Sequence, residues 1–377
     1  MRLRFGEPSE TERAARAELD ARIEHMFRAA CEKEQSSAWW KGRVRQLWPG
    51  LEGERTESGT IVVRPWGREL TPLAERVVAR APAGLDVVGR RPARSFAAAA
   101  SEARRAGVEL SQARARAGFA RGHLLEIVVY VPGGSGSPRE QELCESLVWD
   151  VLGERAADDW IGQVRAAAAP RNGPLRVLES KPDPKQFPLS ELRAAVLAAA
   201  SGLCAGLPEE PFLLRDLSGE WTLFELTPEP AEDWADEDDL VLATTCVPEL
   251  LKCHLEKAPF SSLRFSRTGE LFFCLKYLSA GSPEERLTVR QTLEDALERE
   301  LIAKRAGRVV GAGLGLRYAY VHLALSAVEE GLRAVSAVGR GAALPRQSWL
   351  LPFDSDLARE WHEIWPGAEG PPMARVG

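Results

Sequence analysis

Apolar residues recur at helical spacing near the start of the chain and then form short strand-like runs. Over residues 10–34, Leu19, Ile23 and Phe27 fall on one stripe with charges between them, which predicts an amphipathic helix. The run His123–Val131 is almost continuously apolar. Such a run predicts a central strand that is buried on both faces.

The C-terminal pattern alternates strands and helices. Ser282, followed by Pro283 and two glutamates, predicts the start of a long helix. Arg267-Thr-Gly-Glu270 predicts a hairpin turn after a strand at Leu263–Ser266, and Asp354 is expected to cap a closing helix that reaches Trp365. The remaining predicted elements are strands at Leu271–Leu278, Arg308–Val310, Leu316–Leu325 and Ser348–Phe353, and a helix at Ser326–Val338.

Read from 270 to 353, the order of these elements is β-α-β-β-α-β. That order is typical of the split βαβ, or ferredoxin-like, unit, an antiparallel sheet with two helices on one face. The first half of the chain gives a looser version of the same order with an inserted helix, so we expect two related ferredoxin-like domains with antiparallel sheets. The pattern therefore predicts an α+β protein with a helical segment at 1–50, a first α+β domain at 51–205 and a ferredoxin-like α+β domain at 206–377.

Three glycines at alternate positions precede the predicted strand that contains two tyrosines and a histidine. This spacing indicates that something packs closely on the backbone, either a neighbouring helix or a phosphate or RNA backbone. The polar side chains beyond the glycines form a candidate cluster for binding or for acid–base chemistry. The candidate binding residues are Gly311, Gly313, Gly315, Arg317, Tyr318, Tyr320 and His322.

The segment from Gly311 to Leu325, with Phe353-Asp354 and Trp361-His-Glu-Ile-Trp365, resembles uncharacterised bacterial proteins of the domain-of-unknown-function type. The resemblance covers the C-terminal part of the chain and implies a ferredoxin-like fold but no activity. Because some such proteins accompany toxin systems, it also implies an immunity or adaptor role.

Two further segments are candidate surfaces. Trp39 and Trp40 lie among basic residues, which indicates either a partner surface that uses stacking and cation–π contacts or a helix that docks its aromatics onto the domain. Residues 90–121 carry a local net charge of +6, a pattern suited to phosphates or to solvated helix faces. The candidate nucleic-acid residues there are Arg90, Arg91, Arg94, Arg104, Arg105, Arg114 and Arg116.

Known catalytic and metal motifs are missing from the sequence. It contains no dinucleotide fingerprint, phosphate loop, zinc-protease helix or nucleophile elbow. Cys246, Cys253 and His254 lack the spacing of a zinc knuckle, and the acidic run Glu229–Asp239 is typical of a solvated loop. We therefore expect no cofactor and no metal.

Composition fits a cytoplasmic globular protein. The six cysteines are widely separated, which favours a reduced compartment, and neither a signal peptide nor a membrane span is expected. Residues 1–200 carry a net charge of +4 and residues 201–377 a net charge of −10. We expect a non-enzymatic adaptor, immunity or regulatory protein that binds another protein. The alternative is an RNA-binding or RNA-processing protein that uses the arginine-rich region.

Overall fold

A computed structural model describes residues 3–5, 8–32, 34–168, 185–219 and 221–372. Helices and sheets are mixed, which confirms the α+β class. Contacts divide the chain into a first unit, Met1–Gly89 with Leu207–Gly377, and a second unit, Arg90–Gly206. Residues 51–89, which the sequence pattern assigned to the first α+β domain, therefore lie in one unit with the C-terminal part of the chain.

The N-terminal part of the first unit packs three helices on a small sheet. Strand β2 pairs antiparallel with β1 and parallel with β3. The buried side chains include Ile23, Phe27 and Val44, so the predicted stripe of the first helix faces this core. The elements are α1 (Glu10–Glu32), α2 (Ser37–Leu47), β1 (Leu51–Arg55), β2 (Ile61–Pro65), α3 (Thr71–Ala79) and β3 (Val87–Val88).

The second unit has a four-stranded sheet in the order β6-β5-β4-β7. Its elements are α4 (Phe96–Arg105), β4 (Arg114–Phe119), β5 (Leu125–Val131), α5 (Pro138–Leu152), α6 (Glu154–Trp160), β6 (Ile161–Ala168), β7 (Phe187–Pro188) and α7 (Leu192–Gly206). Strand β5 is central and largely buried, as its apolar run predicts. It pairs directly and in parallel with β6, where a split βαβ unit would insert a strand between them.

The C-terminal part of the first unit forms a seven-stranded antiparallel sheet in the order β14-β13-β10-β12-β11-β9-β8. Its elements are β8 (Thr222–Glu225), β9 (Leu240–Thr245), α8 (Pro248–Leu255), β10 (Leu271–Leu278), α9 (Pro283–Ala303), β11 (Gly307–Gly315), β12 (Tyr318–Leu325), α10 (Val328–Gly341), β13 (Ser348–Pro352) and β14 (His362–Glu363). From β10 to β13 the elements follow the predicted order. Helix α9 begins after Ser282, as predicted, and Ser282 and Glu285 form a capping box there.

The two faces of this sheet differ in polarity because side chains alternate along each strand. One face packs apolar residues such as Leu275, Val321 and Leu323 against α9 and α10. The other face carries polar residues of β10 and β12 and is covered by the segment 233–239, whose backbone and side chains bond to them. The polar residues on that face are Cys274, Lys276, Tyr318, Tyr320 and His322.

Two predicted elements are wrong. The expected strand at Leu263–Ser266 is a 3₁₀ turn at Ser262–Arg264, because Arg264 turns inward and donates to the carbonyl of Pro259. The expected closing helix after Asp354 is a short 3₁₀ turn followed by β14. The carboxylate of Asp354 accepts the backbone N–H of Ser262 at 2.8 Å. It therefore caps the 3₁₀ turn at Ser262–Arg264 and not the segment that follows it.

Among the described residues, one helical stretch, Leu189–Gly206, is long and apolar enough to cross a bilayer, with a mean hydropathy of 1.2. A single stretch of this kind is weak evidence for a membrane span. In this structure Leu192, Val196 and Ala200 on one side of it pack into the core of the second unit. Only 22% of the stretch is buried, so one face of this helix packs on that core and most of its residues do not.

Candidate functional site

Three side chains that are far apart in sequence meet beneath the segment 233–239. Nε2 of His322 lies 2.6 Å from Oε1 of Glu237, and the thiol of Cys274 donates to the same oxygen at 3.1 Å. All three residues are at most 2% exposed. We call Glu237, Cys274 and His322 the buried triad.

The sheet fixes two members of the buried triad by register. Cys274 on β10 lies directly opposite His322 on β12, so the two side chains stand side by side on one face. Glu237 comes from the segment just before β9. Asp236, the residue before it, has a φ of +40°, a left-handed conformation that aspartate tolerates better than most residues. This turn directs the carboxylate of Glu237 towards the sheet.

The glycines of β11 leave the space that the site occupies. A Cβ on Gly311 would lie 2.6 Å from Nδ1 of His322, and one on Gly313 would lie 2.6 Å from the side chain of Leu240. A Cβ on Gly315 would meet the carboxylate of Asp239. The close approach that the glycine spacing indicates is therefore made by His322 and by the start of β9, not by a helix.

Burial and charge act together in the buried triad. Burial alone would raise the pKa of Glu237, but the imidazole of His322 outweighs that effect and holds the pKa below its usual value. Burial, together with the charge of Glu237, raises the pKa of the Cys274 thiol well above 9.0. Among the described residues, Oε2 of Glu237 and Nδ1 of His322 are buried without a hydrogen-bond partner.

A second set of contacts ties the covering segment to the hairpin of β11 and β12. Asp239 accepts the backbone N–H groups of Arg317 and Tyr318 at 2.7 and 2.9 Å and the hydroxyl of Tyr320. The ammonium of Lys276 donates to the carbonyl of Trp234 at 2.6 Å. Burial lowers the pKa of Lys276, an effect that the charge of Asp239 opposes. These contacts hold Glu237 over the sheet.

A cavity of about 290 Å³ adjoins the buried triad. Glu237 and Cys274 line it, whereas His322 is not part of its lining. The rest of its wall combines apolar side chains with a few polar ones. These include Leu250, Phe260 and Phe353 among the apolar residues and His254, Lys257 and Ser355 among the polar ones.

The donor set suits a transition metal better than nucleophilic catalysis. The thiol of Cys274 stays protonated because its pKa is raised, and the thiolate is the nucleophilic form. One carboxylate, one sulfur and one imidazole, with donor atoms within 4.8 Å of one another, match the ligands that Zn²⁺ takes in proteins.

The residues of the glycine hairpin lie inside the protein. Tyr318, Tyr320 and His322 are at most 1% exposed, while Arg317 stays partly exposed and pairs with Asp233 at 3.4 Å. They are buried because the segment 233–239 covers them. Of the sequence-predicted site residues, the structure therefore brings only His322 into the buried triad.

The tryptophans predicted as a candidate surface pack onto the domain. Trp40 is 2% exposed and contacts Phe27 with ring centroids 6.1 Å apart. Trp39 is partly buried, and its ring meets that of Trp40 edge to face at 5.0 Å. The docking interpretation of this segment thus matches the placement of both rings.

Most of the candidate nucleic-acid arginines form contacts within the second unit. Arg94 bridges Asp150 and Glu102 at 2.9 and 2.8 Å. Arg114 donates to the carbonyl of Gln186. Arg90, Arg91 and Arg104 pair with Asp158, Asp150 and Glu109 respectively, while Arg105 is exposed and Arg116 partly buried. These ion pairs neutralise much of the local positive charge.

The interpretation of the acidic run as a solvated loop is wrong at two positions. Glu237 and Asp239 are at most 2% exposed, because histidine, thiol, tyrosine and backbone donors on the sheet satisfy their carboxylates. Cys253 is buried, and His254 is largely buried and lines the cavity. Sequence spacing gave no sign that Glu237 and Cys274 would meet His322.

Comparison of this chain with protein-family models, with curated proteins and with solved structures finds no match.

Proposed function

We propose that this protein binds a divalent transition-metal ion, Zn²⁺ foremost, through the buried triad and presents that ion to the adjoining cavity. The observation that carries the proposal is the convergence of Glu237, Cys274 and His322 in a fully buried place. Two of their polar atoms, Oε2 of Glu237 and Nδ1 of His322, lack partners among the described residues. Buried polar atoms without partners are costly, and a bound ion reorganises such a cluster.

Charge balance supports an ion in this buried place. Zn²⁺ coordinated by a carboxylate, a thiolate and a neutral imidazole has no net charge, so its burial avoids the penalty of an uncompensated ion. Coordination deprotonates a thiol outright, so the raised pKa of Cys274 is overcome when the ion binds. Binding must therefore release at least the proton of Cys274.

Geometry requires only a small adjustment. Zn–ligand bonds of about 2.0–2.3 Å place the donors of a tetrahedral site about 3.3–3.7 Å apart. The hydrogen-bonded distances to Oε1 of Glu237 are 2.6 Å from His322 and 3.1 Å from Cys274. The donors would have to separate by about 1 Å or less. Three protein ligands with a fourth position open are typical of catalytic zinc rather than structural zinc.

The test is a calorimetric titration of metal-free, reduced protein with Zn²⁺ in two buffers of different ionisation enthalpy. We expect one ion per chain and release of at least one proton at neutral pH. Cys274→Ser and His322→Gln should each weaken binding by roughly 100-fold or more, since losing a residue that merely orients a ligand costs about 10–100-fold.

Cys246→Ser is the matched control. Cys246 lies outside the buried triad, and its thiol contacts the carbonyl of Val310 at 3.3 Å, a hydrogen bond that serine can keep. It should bind Zn²⁺ like the wild type. The proposal fails if the wild type binds no stoichiometric ion, or if Cys274→Ser binds as tightly as Cys246→Ser.

We also propose that β10, α9, β11, β12, α10 and β13 form a ferredoxin-like unit. The support is the sheet order β13-β10-β12-β11, in which β10 and β11, joined by α9, are separated by β12. Strands β9 and β8 would then extend that unit, and β9 follows directly on the segment that carries Glu237. An experimental structure with a different order of these four strands would contradict this assignment.

A further inference from the structure

We infer that the cavity beside the buried triad binds a small molecule with one metal-binding donor, a thiol or a monocarboxylate, and a flat apolar body. This inference rests on the proposed metal site and names what would occupy its open position. Glu237 and Cys274 line the cavity, and the fully buried His322 contacts Glu237 and the ring of Phe353 in the cavity wall. An ion bound by the three therefore has two of its ligands in the cavity wall, which brings its open position within reach of the cavity.

Two aromatic rings form a fixed apolar wall. The centroids of Phe260 and Phe353 are 5.9 Å apart, and both rings are held from outside the cavity. Phe260 stacks on Phe265 at 4.7 Å with an interplanar angle of 9°, and Phe353 meets the ring of His322 edge to face at 5.5 Å. Rings positioned in this way receive a flat apolar group at little cost in side-chain ordering.

The charges of the wall select against polyanions. Asp236, Glu237 and Glu360 line the cavity, and among the described residues Lys257 is the one lysine in that lining. The ammonium of Lys257 is already paired with Asp238, and His254 lies 3.8 Å from the same carboxylate. A phosphate or dicarboxylate would face these acids, whereas a single thiolate or carboxylate adds only one negative charge at the ion.

A volume of about 290 Å³ is at the small end of ligand pockets. It excludes large cofactors and suits a molecule of roughly the size of a substituted benzene. The class of ligand is therefore a small apolar thiol or carboxylic acid, and phosphorylated compounds are excluded.

The test uses the full chain loaded with Co²⁺, whose absorption reports its ligands. Phenylmethanethiol should add a thiolate-to-cobalt band and bind about tenfold or more tightly than ethanethiol, because its ring is buried against the wall formed by Phe260 and Phe353. Inorganic phosphate should leave the spectrum unchanged. Equal affinity for the two thiols, no new band with either, or a spectral response to phosphate would each overturn the inference.

A blocking variant locates the ligand. Ala358 is exposed at the rim of the cavity, so Ala358→Trp should weaken phenylmethanethiol binding by about tenfold or more while the cobalt spectrum of the ligand-free protein stays unchanged. Ala303→Trp, on the exposed face of α9, is the control and should bind like the wild type. Unaltered binding by Ala358→Trp would place the thiol elsewhere and refute the inference. Failure of the wild type to bind Co²⁺ at all would instead refute the metal site, and the inference with it.

Discussion

At Gly311 a single hydrogen atom stands where any other residue would place a Cβ beside the imidazole of His322. We predict that Gly311→Ala destabilises the protein by about 1–3 kcal/mol, because the carbonyl oxygen of Thr244, 2.9 Å from the added Cβ, keeps that atom from shifting away from the ring. It should also weaken Zn²⁺ binding, since His322 would be displaced. Urea unfolding and calorimetry measure the two effects.

Gly341→Ala is the matched control for that substitution. Gly341 is the last residue of α10, and a Cβ there meets nothing within 4 Å. Alanine should be neutral or stabilise the helix by up to about 1 kcal/mol. Equal stability of the two variants would show that the space beside His322 is not limiting.

The pH dependence of stability tests whether the thiol of Cys144, in the second unit, is buried. Burial raises the pKa of its thiol from 9.0 to about 12, and the nearby carboxylates of Glu140 and Glu145 add to the effect. The folded pKa lies above the unfolded one, so the contribution to stability is complete below pH 9 and is lost as pH rises. Between pH 9 and 10.5 the free energy of unfolding of the reduced protein should fall by up to about 1.4 kcal/mol per pH unit from this group.

Cys144→Ala removes this titration and should flatten the pH dependence while lowering stability by a constant amount. The comparison isolates the thiol, because lysines and tyrosines titrate in both proteins. Parallel stability curves for the wild type and Cys144→Ala above pH 9 would show that the Cys144 thiol is accessible to ionisation in the folded state.

Single residues explain why the sequence predicted only part of the site. His322 stands out because it follows a glycine stripe on a strand. Glu237 is hidden in an acidic run that resembles many solvated loops, and Cys274 lies 48 residues before His322 in an ordinary apolar strand. Only the pairing of β10 with β12 places Cys274 opposite His322, and strand pairing is a long-range property.

At the level of elements, the hairpin of β11 and β12 depends on one carboxylate from outside it. Asp239 accepts two backbone N–H groups at the turn and the hydroxyl of Tyr320, and it is fully buried. We predict that Asp239→Ala lowers the free energy of unfolding by about 3 kcal/mol or more, because it leaves buried donors without an acceptor. Chemical denaturation measures this loss.

Asp238→Ala provides the neighbouring control. Asp238 pairs with Lys257 near the surface, and its side chain is 37% exposed. Exposed ion pairs contribute at most about 1 kcal/mol, so this variant should be close to the wild type. A loss for Asp238→Ala as large as that for Asp239→Ala would mean that the covering segment, rather than the hairpin turn, is the sensitive element.

Helices with strong local capping signals were predictable from the sequence. Helices α5 and α9 begin at serine caps followed by proline and by a glutamate that completes the capping box, and the structure starts both helices there. The misassigned segments carry single local signals, a turn glycine and a lone aspartate, and long-range contacts override them. Ser262 and Asp354 are 92 residues apart and form a hydrogen bond with each other. This long-range contact, which local sequence does not show, replaces the predicted hairpin and the predicted closing helix.

At the scale of the whole molecule, the order of elements does not reveal the units. The second unit ends at Gly206, next to the domain boundary that the sequence pattern predicts after residue 205. The other boundary, after Gly89, falls inside a continuous strand–helix alternation, and the arginine-rich composition that begins at Arg90 was interpreted as a candidate surface, not as a domain boundary. The N-terminal residues join the C-terminal part in one unit through contacts between residues far apart in sequence, such as the Arg68–Asp356 ion pair at 2.9 Å.

The second unit should fold by itself, because every buried residue of its core lies between Ala99 and Ala200. We predict that residues 90–206 expressed alone unfold cooperatively in urea. Val196→Ala, which truncates a fully buried side chain of α7, should lower the free energy of unfolding by about 2 kcal/mol. Leu197→Ala changes an exposed neighbour on the same helix and should have little effect. A fragment that melts without a cooperative transition, or that responds equally to the two substitutions, would mean that its core is not organised independently of the rest of the chain.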